Sequence, residues 1–137
     1  MIISNCFILA PQPSLRWQSE AITVAGIAGS PGLTPEKLNY PTDVKLDYLG
    51  SMYIVDKING RIQKYFKDTT TGITVAGLSN GTITSTSYGL KNASCVLLDS
   101  NQNFYIVDTE NSRVQFWKNG ASFGQTVAGT LDEFLTD

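Results

Sequence analysis

Two sets of residues have types and spacing suited to chemistry: Asp56-x-x-Asn59-x-Arg61 and Asp108-x-x-Asn111-x-Arg113. A carboxylate, a carboxamide and a guanidinium this close can hold the polar groups of a ligand. They can equally serve one another, because a guanidinium N–H reaching back to a carboxylate makes a charge-assisted bond of fixed geometry. The second use is the better reading. A ligand site uses one copy of its residue set, whereas a set that recurs in every unit fits a structural task in every unit. Asn59 is expected to accept the left-handed conformation in a turn and to bond its local backbone. Arg113→Ala is expected to cost about 1–3 kcal/mol of stability.

The remaining candidates point away from catalysis. The chain contains no His, which removes a Ser-His-Asp triad, a Cys-His dyad and every His-ligated metal site. Asp47 and Asp99 each close a strand before a turn, where a short carboxylate caps turn amides. Calcium would need several converging oxygens, and no Asp-x-Asp-x-Asp run is present. Cys6 and Cys95 read as unpaired small apolar residues, since two distant cysteines define no disulfide framework. Asn80-Gly81-Thr82 and Asn92-Ala93-Ser94 match the glycosylation acceptor pattern. They fit an extracellular setting but leave the compartment open. No catalytic residue, cofactor or metal ligand is assigned.

The elements that position these residues come from a repeat. Thr-Val-Ala-Gly occurs at residues 23–26, 74–77 and 126–129, spaced by 51 (23 to 74) and 52 (74 to 126). A fixed period of this size means one supersecondary unit used repeatedly. Shifted by 52, residues 38–66 fall on 90–118. The identities are Leu38/Leu90, Val44/Val96, Leu46/Leu98, Asp47/Asp99, Tyr53/Tyr105, Ile54/Ile106, Val55/Val107, Asp56/Asp108, Asn59/Asn111, Arg61/Arg113 and Gln63/Gln115. Each repeat reads as four strands, at 42–47, 52–55, 61–66 and 73–76, then 94–99, 103–107, 113–118 and 125–128. The first alternates, with Val44 and Leu46 on one face. The second is a short apolar run suited to burial on both faces. Asn59-Gly60 is a hairpin signal. Tyr65 and Trp117 are expected to pack between units or, at an open end, to supply an interface anchor. The first Thr-Val-Ala-Gly should be the outer strand of an incomplete unit, paired with residues 15–18. A four-stranded antiparallel unit at this period is a propeller blade. The rival two-sheet sandwich has no reason to repeat its strands in sets of four.

Written out, the repeat resembles the NHL family of β-propellers. The matching pattern is Pro41-x-x-Val44-x-Leu46-Asp47 followed by Tyr53-Ile54-Val55-Asp56-x-x-Asn59-x-Arg61-Ile62-Gln63. It recurs from Val96 to Gln115, with Ala93 in place of the Pro and Gln102 in place of Gly50. The resemblance covers about residues 22–129. It divides the chain into blade 1 at about 38–77 and blade 2 at about 90–129. Residues 1–21 form a partial blade or disordered segment, and 130–137 a tail. The family usually closes a ring of about six blades, so two blades leave two apolar faces open. Either the chain is a fragment of a longer propeller or copies assemble, three two-blade chains making six blades. The resemblance implies a non-catalytic module for protein–protein interaction. Its partner would bind connecting segments such as residues 27–41 and 78–92, which vary more than the strands. Two alternatives stand beside it. One is a fragment of a propeller enzyme of the amidating-lyase or lactonase-like kind, although such lyases hold zinc through His. The other is a short-chain lectin assembling into a ring, which exposed aromatic residues repeated in each blade would favour.

Composition sets outer bounds. At 137 residues and 42% hydrophobic, the chain is one globular domain in size. Its 10 Lys and Arg against 12 Asp and Glu, with no basic run, offer no footprint for nucleic acid. Residues 1–10 are apolar but lack a basic start, so they read as a poor secretion signal. No stretch approaches the length of a membrane span.

Overall fold

A computed structural model describes residues 20–129 of the chain. The alternating segments form two antiparallel sheets. Strands β1 (Pro41–Leu46), β2 (Met52–Asp56), β3 (Arg61–Tyr65) and β4 (Gly72–Gly77) make the first. Strands β5 (Cys95–Leu98), β6 (Phe104–Asp108), β7 (Arg113–Trp117) and β8 (Gln125–Ala128) make the second. Each is a meander in chain order, and neither sheet closes on itself. Among the described residues the only helix is one 3-10 turn at Thr109–Asn111, and no helix there is long and apolar enough to cross a membrane. The architecture is all-β, with every strand end within one residue of the position read from the sequence.

The Thr-Val-Ala-Gly segments of the two repeats form the edge strands β4 and β8. Residues 23–26 do not form a strand, which corrects the expectation for the first copy. The segment proposed to pair with it, residues 15–18, lies outside the described residues, as do Cys6 and the 130–137 tail. Gly26 nevertheless ends its segment at φ 79, as Gly77 does at 81 and Gly129 at 77.

Cross-strand pairing fixes the faces, because directly opposed residues share a side. In the first sheet Lys45, Tyr53 and Lys64 are opposed in register, as are Val55 and Ile62. In the second, Leu98, Phe104 and Trp117 are opposed, as are Val96, Ile106 and Gln115. These two faces meet. Their shared core is Tyr53, Val55, Ile62, Ala76, Leu90, Ala93, Val96, Phe104, Ile106 and Trp117, with the Tyr53 and Phe104 rings 5.4 Å apart. Burial of this apolar surface is the main force joining the sheets. Polar bonds fix its register. The Val96 N–H donates to Asp43 Oδ2 at 3.0 Å, and the Tyr53 hydroxyl lies 3.2 Å from Gln102 Oε1. Asp43 is therefore an inter-sheet residue. Its counterpart in the second repeat is Cys95, on a face that no other sheet among the described residues covers. Strand β2 is buried on both faces, whereas β6 is buried on one only.

Candidate functional site

The two Asp-Asn-Arg sets stand at the β2–β3 and β6–β7 turns, where Asp56 opposes Arg61 and Asp108 opposes Arg113. In the first set Arg61 Nε donates to Asp56 Oδ2 at 2.7 Å and Asn59 Nδ2 donates to the same oxygen at 2.9 Å. The Asn39 backbone N–H donates to Asp56 Oδ1 at 2.7 Å. In the second set Arg113 Nε and Asn111 Nδ2 each reach Asp108 Oδ2 at 2.8 Å, and the Lys91 N–H reaches Oδ1 at 2.6 Å. Both carboxylates are fully buried, so each depends on these donors in place of water.

The donors left over point outward from the hairpin, into the connection that precedes each sheet. Asn59 Nδ2 donates to the Gly32 carbonyl, and Arg61 Nη2 to those of Thr34 and Lys37. Asn111 Nδ2 donates to the Thr84 carbonyl, and Arg113 to those of Ser85, Thr86 and Gly89. Gly32/Thr84, Thr34/Thr86 and Lys37/Gly89 are each 52 apart, as are Asn39 and Lys91. Backbone bonds follow the same rule. The Gly72 N–H donates to the Pro35 carbonyl and the Gly124 N–H to that of Ser87, both at 2.8 Å. Left-handed residues recur with the same offset, for example Tyr40 with Asn92 and Gly50 with Gln102. The connections thus follow repeating backbone paths, each held by one guanidinium and one carboxamide.

This alters two expectations, for Asn59 and for the Tyr65/Trp117 pair. Asn59 is not left-handed; Gly60 takes that role at φ 57 and Ser112 at φ 51 in the second repeat. The turn spans four residues, with the Gly60 N–H on the Lys57 carbonyl, so positive φ falls at its last position. Residues 27–41 and 78–92, the connections expected to differ between repeats, are anchored along repeating backbone paths. Tyr65 and Trp117 differ in neighbours. Trp117 is in the inter-sheet core, whereas the Tyr65 hydroxyl donates to the Pro35 carbonyl at 3.0 Å.

The other acids work on turns. Asp47 Oδ1 accepts the Leu49 and Ser51 N–H groups, and Asp99 Oδ1 those of Asn101 and Asn103. Burial opposes the Asp47 charge, yet the Ser51 and Leu49 donors and nearby Lys64 hold its carboxyl below the usual value. Asp43 is likewise lowered, burial being outweighed by Lys45 and the Val96 N–H. Asp99 is lowered chiefly by the Asn103 side chain. None of these environments raises a carboxyl towards general-acid duty. Among the described residues no three His, Cys, Asp or Glu side chains converge on a metal position. Burial pushes the Cys95 thiol up, aided by the Asp43 carboxylate, so it is no activated nucleophile.

The two glycosylation patterns differ in presentation. Asn80 is exposed in a turn, its Oδ1 accepting the Thr82 N–H at 3.0 Å. Asn92 is half-buried at φ 47, its Nδ2 donating to Glu110 Oε1. Gln63 and Gln115 were visible as an identity but not as site residues. Gln63 Oε1 accepts the Thr74 hydroxyl at 2.8 Å, while both amide atoms of buried Gln115 lack a partner; nothing nearby explains this. No protein-family model matches the chain, and no curated protein matches it.

Proposed function

We propose that the chain is a non-catalytic interaction module in which each four-stranded sheet acts as a propeller-type blade of the NHL kind. A protein partner reads the connecting segments. The observation that carries this is the repeated clasp on residues 27–41 and 78–92. The backbone paths are anchored alike, yet the side chains they display differ. Glu36 in the first repeat corresponds to Tyr88 in the second, and Lys37 to Gly89. A rigid frame presenting unlike side chains suits recognition, because little ordering entropy is lost on binding. The Asp-Asn-Arg sets serve that frame and do not touch the partner. No basic surface run favours nucleic acid.

The exposed Tyr88–Phe123 pair, with rings 6.0 Å apart, is the strongest contact candidate, since aromatic anchors dominate interfaces. Its counterparts are Glu36 and Thr71, which disfavours a lectin with one aromatic platform per repeat. The enzyme reading finds no His in the chain, the group most often used for general-base work near neutral pH.

A photo-crosslinking residue at position 88 identifies the partner, which is then purified and titrated against the wild-type chain. Tyr88→Ser with Phe123→Ser should weaken binding by about tenfold or more at unchanged melting temperature. Undiminished binding overturns the reading. So does lactone or ester turnover by the purified chain that vanishes in Asp47→Asn.

A further inference from the structure

The inter-sheet interface has two halves, and the repeat carries each half twice. One copy of each is buried between the sheets; of the other copies, that of the second sheet is partly exposed, and that of the first sheet is exposed along β1 while Ile54, Gln63 and Tyr65 on β2 and β3 are buried. Val96 is 0% exposed, whereas its counterpart Val44 is 51% exposed, and Leu46, counterpart of half-buried Leu98, is 67% exposed. On the other half Tyr53 and Val55 are 1% and 0% exposed, whereas Tyr105 and Val107 are 39% and 38% exposed. The exposed β1 side of the first sheet is thus the same kind of surface that β5 of the second sheet uses to cover the first. The free face of the second sheet is the same kind that receives it.

The composition of the second sheet's free face argues that it is meant to be covered. By register it carries Cys95, Leu97, Tyr105, Val107, Val114 and Phe116. Its equivalent in the first sheet carries Asp43, Lys45 and Lys64 where this face has Cys95, Leu97 and Phe116. Three charges are replaced by apolar or weakly polar groups. A terminal repeat that ended in water would show the opposite trend, because capping repeats need a polar outer face. An apolar face of this extent marks an interaction surface.

We propose that this face docks head to tail on the exposed β1 side of the first sheet of a second copy of the same chain. Tyr105, Val107 and Val114 would meet Val44 and Leu46, as Tyr53, Val55 and Ile62 meet Val96 and Leu98 within the chain. Two inter-sheet bonds have no counterpart there, the first being Tyr53 to Gln102, because Gly50 stands at the position of Gln102. Inside the chain Asp43 Oδ2 accepts the Val96 N–H, and Cys95 cannot do this for the next copy. The Val44 N–H of that copy is already held by its own Asp43 Oδ1 at 2.9 Å. Such an interface joins unlike patches, so it builds rings or filaments and not twofold dimers. The proposal rests on the blade reading of the sheets, and is independent of which partner reads the connections.

The test uses the full chain with Val107→Glu on one face and Val44→Glu on the other, both at exposed positions. Leu97→Glu replaces the first if its thermal melt is not cooperative. Light scattering after gel filtration should give wild type a mass above that of the 14.9 kDa monomer, and each variant alone the monomer mass. An equimolar mixture of the two variants should give a discrete dimer and nothing larger, since one intact interface remains. A wild-type monomer at about 100 μM, in the range of weak association, overturns the proposal. So does a variant that keeps the wild-type assembly, or a mixture that stays monomeric. A monomeric wild type that still binds its partner through Tyr88 overturns the docking alone and leaves the module reading intact.

Discussion

Truncating Arg113 to Ala gives the sharpest test of the clasp. The side chain makes four contacts, to Asp108 at 2.8 Å and to the carbonyls of Ser85, Thr86 and Gly89 at 2.7, 2.8 and 3.1 Å. Sequence reasoning, with Asp108 as the only partner, gave about 1–3 kcal/mol. The structure raises that figure. Asp108 is fully buried, and removing one member of a buried pair costs about 3–5 kcal/mol. Two donors to Asp108 survive, from Asn111 and Lys91, and the freed carbonyls can turn to water. The lower end, about 3 kcal/mol, is therefore expected. For a domain of this size that corresponds to a melting temperature lower by roughly 12 °C, at about 4 °C per kcal/mol. The assay is thermal unfolding followed by circular dichroism, with limited proteolysis to locate the loosened segment. New cleavage should fall at residues 84–89. Adding Asp108→Asn removes the stranded charge and should recover about 1–2 kcal/mol. Arg61→Ala should cost less, because its two contacts to the connecting segment are longer, at 3.3 and 3.2 Å. A melting temperature within about 2 °C of wild type, well under the shift for 1 kcal/mol, would refute the reasoning. If partner binding vanished at the same time, Arg113 would be a binding residue.

Other perturbations test the frame. Gly77→Ala places a Cβ against the Gly60 carbonyl at φ 81, and urea melts should show a loss of about 1–3 kcal/mol; an unchanged midpoint would contradict the close approach. Asp68 is exposed and left-handed at φ 60, where the second repeat has Gly120. Asp68→Gly should therefore be neutral to stabilising by about 0.5 kcal/mol, and a clear loss by the same assay would count against that backbone. Asp43 and Asp47 have folded carboxyls held below 3.8. Their contribution is fully present above about pH 4 and is lost as pH falls through the folded values. Melting temperature should drop below pH 4, less steeply in Asp47→Asn than in wild type; identical acid profiles would show that Asp47 is not responsible.

The strands, their number per repeat and their ends were legible in the amino-acid sequence. Those depend on alternation and turn residues, which are local and were written twice, so each copy checked the other. It also paired Asp56 with Arg61 and Asp108 with Arg113, because only a short turn separates them. Where the remaining guanidinium donors go is another matter. Their acceptors are backbone carbonyls 24 to 28 residues earlier, and every residue has a carbonyl, so no side-chain pattern marks them. At residues 27–41 and 78–92 the sequence showed polar connections that differ between repeats, but not the shared backbone paths, for the same reason. The task of Asp43 was hidden as well, since its partner is an amide on the other sheet. Its replacement by Cys95 makes sense only once the order of the sheets is known. Local preference sets what each segment is. Which carboxylate holds which amide, and which apolar face is left without cover, follow from how the two sheets stack.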